Sequence, residues 1–178
     1  MAERRVTDEV PEASRSEMAE VERGSAIVVT VSDGVIAGTR EDASGDALAT
    51  RLVEGGWRIA ARRQIPDGVE SVRDTLIELS EGFNGIIVTT GGTGFGPRDL
   101  TPEGTLQAIE REAPGLAEAM RLSNPGGLGR LSRALAGTRG QALILNTPGS
   151  TKGTIETIEA VLDVLHHAVD LLAGGRPH

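Results

Sequence analysis

The sequence predicts a three-layer α/β fold in which helices cover both faces of a mostly parallel β-sheet. Three short runs of aliphatic and β-branched residues support this prediction, at residues 26–31, 86–90 and 142–145. Strands that are buried on both faces have this continuous apolar character, whereas half-exposed strands alternate. Stretches with helical periodicity separate the runs, and regular alternation of strand and helix is typical of α/β domains.

The first half of the chain is predicted to contain two strands and two helices. The strand at residues 26–31 is followed by a helix near residues 45–55, which ends at Gly55-Gly56, a common helix C-terminal signal. Residues 57–65 alternate weakly between apolar and polar and are predicted as a fourth strand. A second helix is predicted over residues 69–81, because apolar residues recur on one of its faces. They are Val69, Val72, Leu76 and Leu79.

The second half is predicted to contain two further helices around the remaining strands. One begins at Thr101-Pro102-Glu103, where Thr101 is predicted as the N-cap and Pro102 as the first helical residue. Residues 123–140 are rich in glycine and arginine and predict an irregular excursion or a small hairpin. One last helix is predicted over residues 151–173, from apolar residues spaced three and four apart. They are Ile155, Ile158, Leu162, Leu165, Val169 and Leu172.

The chain is predicted to contain one folded domain. Residues 1–24 mix acidic residues with serine and lack sustained apolar periodicity, so they are predicted to form a disordered acidic tail. Residues 25–178 are sufficient for a single α/β domain with a substantial core.

Composition and charge narrow the classes of function. The 178 residues carry a net charge of −8 at pH 7 and only 2% aromatic residues, which argues against nucleic-acid binding. No apolar run approaches the length of a membrane span, so no membrane association is expected. There are no cysteines, which excludes disulfides, thiolate metal sites and cysteine nucleophiles. A cytoplasmic location is therefore expected.

Three loops follow predicted strands, at the edge where open α/β sheets bind ligands. They are residues 32–34, residues 90–99 and residues 146–153. Two of them are rich in glycine and open into helices, which favours phosphate binding, although tight turns also need glycine. The nucleotide P-loop and the dinucleotide fingerprint are both absent, since Lys152 precedes Gly153 and Pro97 stands where a glycine is required.

Two aspartates belong to the same edge of the predicted sheet. Asp67 follows the weak strand in a Pro-Asp-Gly segment, and Asp99 precedes a helix. A turn residue and a helix cap are the simpler interpretations of these positions. Together beside a phosphate, however, they predict a site for a hard cation such as Mg²⁺. Lys152 is predicted either to contact phosphate or to serve solubility alone.

The histidines offer no catalytic base, because His166 and His167 lie within a predicted helix and His178 is the last residue. Phosphoryl or nucleotidyl transfer fits a chain without a usable histidine or cysteine, since such reactions depend mainly on positioning and charge neutralisation.

The motifs TTGGTGFGPRDLTPE, VTVSDG and LILNTPGS resemble those of the molybdopterin adenylyltransferase family, the MogA/MoaB group that includes the gephyrin G domain. The resemblance covers roughly residues 25–173. It implies a MogA/MoaB-like fold, a homotrimer, and Mg²⁺-dependent transfer of AMP from ATP to molybdopterin in molybdenum cofactor biosynthesis. Pyrophosphate would be released, and the product could be handed over to a molybdenum insertase.

The resemblance also implies roles for individual residues. Asp67 and Asp99 would be catalytic and hold the metal, and the glycine loop, Gly91 to Gly94, would cradle phosphate. A loop near the nucleotide would include Asp42, Ser44 and Gly45, and the pterin pocket would be lined by Ser132 and Arg133. The expected substrate-binding residues are Ser32, Asp33, Ser44, Gly45, Gly91, Gly92, Thr93, Gly94, Arg98, Thr101, Pro102, Glu103, Ser132, Arg133, Asn146, Pro148, Gly149 and Ser150.

One departure from the family pattern affects the late loop. Thr151 stands where the family often has a proline after Pro-Gly-Asn or Pro-Gly-Ser. Two other functions are compatible with the resemblance. One is a non-catalytic MoaB-type protein that binds molybdopterin, and the other is one domain of an insertase. The presence of Asp67 and Asp99 favours the enzyme, and the end of the chain soon after the last helix is expected to exclude further insertase domains.

Overall fold

The computed structural model describes residues 24–124 and 126–176, so residues 1–23 of the predicted tail lie outside the described part of the chain. A mixed sheet of six strands forms the centre of the fold. The strands are β1 (Ser25–Val31), β2 (Arg58–Ile65), β3 (Gly85–Thr90), β4 (Arg111–Glu112), β5 (Ala136–Arg139) and β6 (Ala142–Thr147). Their order in the sheet is β2-β1-β3-β6-β5-β4, with β2, β1, β3 and β6 parallel and β5 and β4 antiparallel.

Helices lie on both faces of this sheet. They are α1 (Asp33–Ile36), α2 (Ala43–Glu54), α3 (Val69–Ser80), α4 (Thr101–Ala108), α5 (Pro114–Leu122), α6 (Thr151–Glu159) and α7 (Leu162–Leu172). Alternate residues of β1 point to opposite faces, so Val28 belongs to the apolar cluster under α2, α6 and α7, while Val29 belongs to the cluster under α3. The predicted three-layer fold with a mostly parallel sheet is confirmed. No helix within the described residues is long and apolar enough to cross a membrane.

All four predicted strands are present, with ends that differ by one or two residues. β6 continues to Thr147 rather than ending at residue 145, because polar side chains at its end are buried with partners. The Asn146 amide donates to the hydroxyls of Thr89 and Thr105, at 3.0 and 2.9 Å. The strand at β2 alternates weakly because it is the edge of the sheet and largely exposed.

The segment at residues 123–140 contains a short 3-10 helix (Leu128–Leu131) and then β5. β5 pairs antiparallel with β6, which lies beyond this segment, so residues 123–140 contribute one strand of a hairpin and do not form a hairpin of their own. The elements β4 and α5 were not predicted from the sequence. Their positions depend on pairing with β5 and on packing of α5 against the core.

Two predictions about helices are wrong. The continuous helix at residues 151–173 is instead α6 and α7, because Val161 leaves the helical conformation at φ −130° and ψ −6°. Val161 is buried in the core, whereas Leu162, assigned to the core by the periodicity, is only half-buried. The N-cap of α4 is Leu100, and Thr101 is already helical. The Thr101 hydroxyl lies beneath Gly92 instead of capping the helix.

Candidate active site

The carboxyl ends of β1, β2, β3 and β6 open into a cavity of about 910 Å³. These strands run in the same direction, so the loops that follow them meet at one edge of the sheet. Twelve of the residues expected to form the site line this cavity. They are Ser32, Ser44, Asp67, Gly91, Gly92, Thr93, Gly94, Asp99, Ser132, Pro148, Gly149 and Ser150.

The glycine loop after β3 has a conformation that only glycine tolerates at two positions. Gly91 has φ +106° and Gly92 has φ +64°. An added Cβ would clash with the Val31 carbonyl oxygen at Gly91 and with the Thr101 hydroxyl at Gly92. The Gly91 N–H donates to the Thr147 carbonyl at 3.1 Å, which ties the loop to the end of β6.

Three backbone donors of the glycine loop have no partner in the part of the chain that the structure describes. Among the described residues, no hydrogen bond involves the backbone N–H groups of Gly92, Thr93 or Gly94. All three residues line the cavity. Successive free N–H groups in a turn form a concave anion site, so this segment suits a phosphate group.

The first aspartate, Asp67, is held by reciprocal hydrogen bonds to Asp33 at the end of β1. The Asp33 N–H donates to Asp67 Oδ2 at 2.8 Å, and the Asp67 N–H donates to Asp33 Oδ1 at 3.0 Å. Asp67 Oδ1 lies beside Gly92, 3.3 Å from the point that a Cβ there would occupy. Asp67 is therefore more than a turn residue, because its carboxylate faces the glycine loop.

The second aspartate, Asp99, closes the turn that follows the glycine loop. Its Oδ2 accepts a hydrogen bond from the Gly96 N–H at 2.8 Å. A Cβ at Gly94 or Gly96 would come within 2.8 Å of the same oxygen, so the carboxylate lies against the loop. Asp99 therefore caps a loop turn and not α4, whose N-cap is Leu100.

Arg133 fixes the conformation of the glycine loop through hydrogen bonds to its carbonyl groups. Its guanidinium donates to the Gly94 carbonyl at 2.8 Å, to the Asp99 carbonyl and to the Glu103 carboxylate. Its backbone N–H donates to the Thr93 carbonyl at 2.9 Å. Ser132 lines the cavity, whereas Arg133, which the resemblance also places in the pterin pocket, does not. Its contacts position the segment that carries Asp99.

The Arg133 guanidinium holds the pKa of the Glu103 carboxyl below its ordinary value of 4.5, through their hydrogen bond and against the opposing effect of burial. Folding therefore favours the ionised form of Glu103. The resulting stabilisation is present above the unfolded-state pKa and is lost as the pH falls through the lower folded-state pKa.

We expect Glu103→Gln to lower stability near neutral pH, with a difference from the wild type that shrinks as the pH falls. The measurement is the midpoint of thermal unfolding for both proteins between about pH 7 and pH 3.5. Glu110→Gln is a matched control, because Glu110 pairs with Arg139 away from the cavity. A Glu103→Gln deficit that stays constant across this range would contradict the assignment.

The loop expected near the nucleotide is anchored by a well-satisfied carboxylate. Asp42 accepts hydrogen bonds from the Thr30 hydroxyl at 2.9 Å and from the Gly45 N–H at 3.0 Å, at the start of α2. Arg62 also pairs with it at 3.1 Å. Gly45 is buried, whereas Ser44, its neighbour in the first turn of α2, lines the cavity.

The other expected site residues are not among those that line the cavity. Thr101, Pro102 and Asn146 are buried, and the Asn146 side chain is occupied by hydrogen bonds within the core. Lys152, whose role the sequence left open, does line the cavity and lies 3.6 Å from Glu156. The lining also includes residues that were not predicted for the site. Thr30 and Phe95 belong to the motifs quoted above, whereas the others lie outside them. They include Val35, Arg40, Glu41, Ser123, Asn124, Leu128 and Glu156.

Fold and site together define the class of protein. Open α/β sheets bind ligands beyond the carboxyl ends of their strands. This edge combines two carboxylates with backbone N–H groups that lack a partner among the described residues. The chain is an α/β protein whose site suits phosphorylated ligands. It belongs to the family described as probable molybdopterin binding domain, whose model matches residues 27–167.

Individual relatives agree with this assignment. The molybdopterin adenylyltransferase of Helicobacter pylori is 35% identical over 159 residues, covering 83% of this chain and 86% of its own. The Escherichia coli molybdopterin adenylyltransferase is 38% identical over 144 residues, covering 76% of this chain and 72% of its own. The solved structure of the molybdopterin biosynthesis enzyme MoaB from Thermus thermophilus matches with a TM-score of 0.80 and 43% identity, covering 86% of this chain and 98% of that chain. The resemblance and the MogA/MoaB-like fold are thus confirmed.

Proposed function

We propose that this chain is a molybdopterin adenylyltransferase, which transfers AMP from ATP to molybdopterin and releases pyrophosphate during molybdenum cofactor biosynthesis. The observation that carries the proposal is the row of backbone N–H groups at residues 92–94. They have no partner within the described residues and line the same cavity as Asp67 and Asp99. The relatives named molybdopterin adenylyltransferase support it, since each covers more than two thirds of this chain.

The proposed reaction needs little acid–base chemistry from the protein. A phosphate oxygen of molybdopterin attacks the α-phosphorus of ATP, and the bond from that phosphorus to the bridging β-phosphate oxygen breaks. The attacking phosphate is already anionic at neutral pH, so no base has to deprotonate it. His166 and His167 lie on α7 and are absent from the cavity lining, in agreement with such a mechanism. The residues at the cavity would position two anions and stabilise the charge on them.

The two carboxylates fit a magnesium ion. One oxygen of each aspartate accepts a backbone hydrogen bond, and no hydrogen bond within the described residues reaches Asp67 Oδ1 or Asp99 Oδ1. The described residues contain no cluster of three or more candidate ligand side chains. Mg²⁺ suits this arrangement, because it is commonly held by one or two carboxylates together with substrate phosphates. Bound there by Asp67 and Asp99, it would neutralise phosphate charge.

One assay tests the function. Purified protein, ATP, Mg²⁺ and molybdopterin should release pyrophosphate, and omission of molybdopterin should stop the release. Molybdopterin binding is measured in parallel by a separate titration. Tight binding without pyrophosphate release would contradict the enzyme and establish the non-catalytic MoaB-type protein.

We also propose a cytoplasmic homotrimer that hands its product to a molybdenum insertase. The absence of cysteine agrees with a reducing compartment. The trimer and the hand-over rest on the family resemblance. A monomer mass in light scattering would contradict the trimer.

A further inference from the structure

Arg98 follows the glycine loop in the sequence, but its side chain pairs with Asp33 and does not line the cavity. Its Nε and Nη2 donate to both carboxylate oxygens of Asp33, at 3.0 and 3.2 Å. Nη2 also donates to the Asp67 carbonyl oxygen at 2.5 Å. An arginine has five N–H donors in a fixed planar fork, and these bonds engage three of them. Neither Arg98 nor Asp33 lines the cavity.

The partner of Arg98 in turn fixes the first aspartate of the site. Asp33 and Asp67 each accept a hydrogen bond from the other's backbone N–H. This exchange occupies Asp67 Oδ2 and leaves Oδ1 beside Gly92. Two carboxylates so close together repel each other, and the Arg98 guanidinium offsets the charge of Asp33.

The Arg98 side chain connects the segments that carry the two aspartates. Arg98 directly precedes Asp99 in the sequence and donates a hydrogen bond to the Asp67 carbonyl oxygen. The Arg98 and Asp33 side chains are 60% and 49% exposed, so their ion pair adds little to global stability. The ion pair should act instead on the local arrangement of the Asp67 and Asp99 segments.

We propose that Asp33 and Arg98 are positioning residues that together hold the Asp67 and Asp99 segments in their working arrangement. This inference rests on the proposed function, because it concerns the two aspartates of that reaction. It assigns Arg98 to the protein scaffold and not to substrate phosphate.

The test compares Arg98→Gln, Asp33→Asn and the double variant with the wild type. Each single variant should lower kcat on the order of tenfold to hundredfold, since displacement of a catalytic group by about 1 Å has costs of that size. KM for ATP should change less than about twofold, because positioning residues make no ground-state contact with substrate. The double variant should lose no more than the worse single variant, because both changes break the same bridge. Arg98→Lys should recover only part of the rate, since lysine lacks the planar fork.

Amide hydrogen exchange gives a readout that does not depend on activity. The Asp33 and Asp67 amides should exchange faster in Arg98→Gln than in the wild type, while the thermal midpoint stays almost unchanged. Arg73→Gln is the matched control, because Arg73 forms an exposed pair with Asp74 on α3. It should leave both turnover and these two amides unaltered.

The outcomes separate this inference from the proposed function. Unchanged turnover in Arg98→Gln, a loss confined to KM for ATP, or additive losses in the double variant would each overturn the positioning role. Absence of pyrophosphate release by the wild type would contradict the proposed function instead. In that case the positioning role is tested by the exchange rates of the Asp33 and Asp67 amides alone. Equal rates in Arg98→Gln and the wild type would overturn it.

Discussion

Asp99→Asn should lower kcat for pyrophosphate release by a factor on the order of 10² to 10³, the range found when one charge-stabilising group is removed from an active site. Molybdopterin binding should be largely retained. The substitution removes the charge but keeps an oxygen that can accept the hydrogen bond from the Gly96 N–H. The loop conformation should therefore survive, and the loss of rate reports on the carboxylate itself.

Comparison with Asp99→Ala separates charge from loop structure. Alanine removes both the charge and the hydrogen bond to Gly96, so it should abolish turnover and also loosen the loop. Asp163→Asn on α7 is the matched control, because Asp163 is exposed and outside the cavity lining. Steady-state pyrophosphate release and a molybdopterin titration measure the two effects. Turnover of Asp99→Asn at the wild-type rate would show that the site assignment is wrong.

Gly91→Ala should destabilise the protein by about 2–5 kcal/mol, from backbone strain and a close contact combined. Gly91 has φ +106°, which disfavours any side chain, and an added Cβ would meet the carbonyl oxygen of Val31. That carbonyl belongs to β1, which is paired on both sides with β2 and β3 and cannot move away easily. The free energy of unfolding from denaturant titration measures the effect.

Gly38 provides the matched control for Gly91→Ala. It has φ +68°, and an added Cβ would meet nothing within 4 Å. Gly38→Ala should therefore cost only the conformational part, about 1–2 kcal/mol. Equal losses in the two variants would contradict the importance of the contact with β1. Retained stability in Gly91→Ala would show that the loop can adopt another path.

The strands were predictable because their sequence character follows directly from their environment. β1, β3 and β6 are buried along nearly their whole length, and such strands need continuous apolar residues. The loops of the site were predictable for a related reason. Parallel strands deliver the residues that follow them to the same edge of the sheet, so Asp67 and the glycine loop could be placed together before any distances were known.

The elements that the sequence did not predict depend on distant partners. β4 has only two residues, and its pairing with β5 defines it as a strand. The break between α6 and α7 places Val161 in the core. The spacing of apolar residues across this break fits one continuous helix almost as well as two separate helices. Short elements and helix breaks of this kind carry too little local signal, because the tertiary context outweighs intrinsic propensity.

The fold class, the family and the edge of the sheet that carries the candidate site follow from the amino-acid sequence, because they depend on local apolar patterns and short contiguous motifs. The contacts of each polar side chain at that edge follow from the tertiary structure instead. Arg98 pairs with Asp33, Arg133 donates to the Gly94 carbonyl, and Asn146 is buried in the core. The physical reason is that hydrogen bonds join residues far apart in the chain, and a motif does not specify the partner of a side chain.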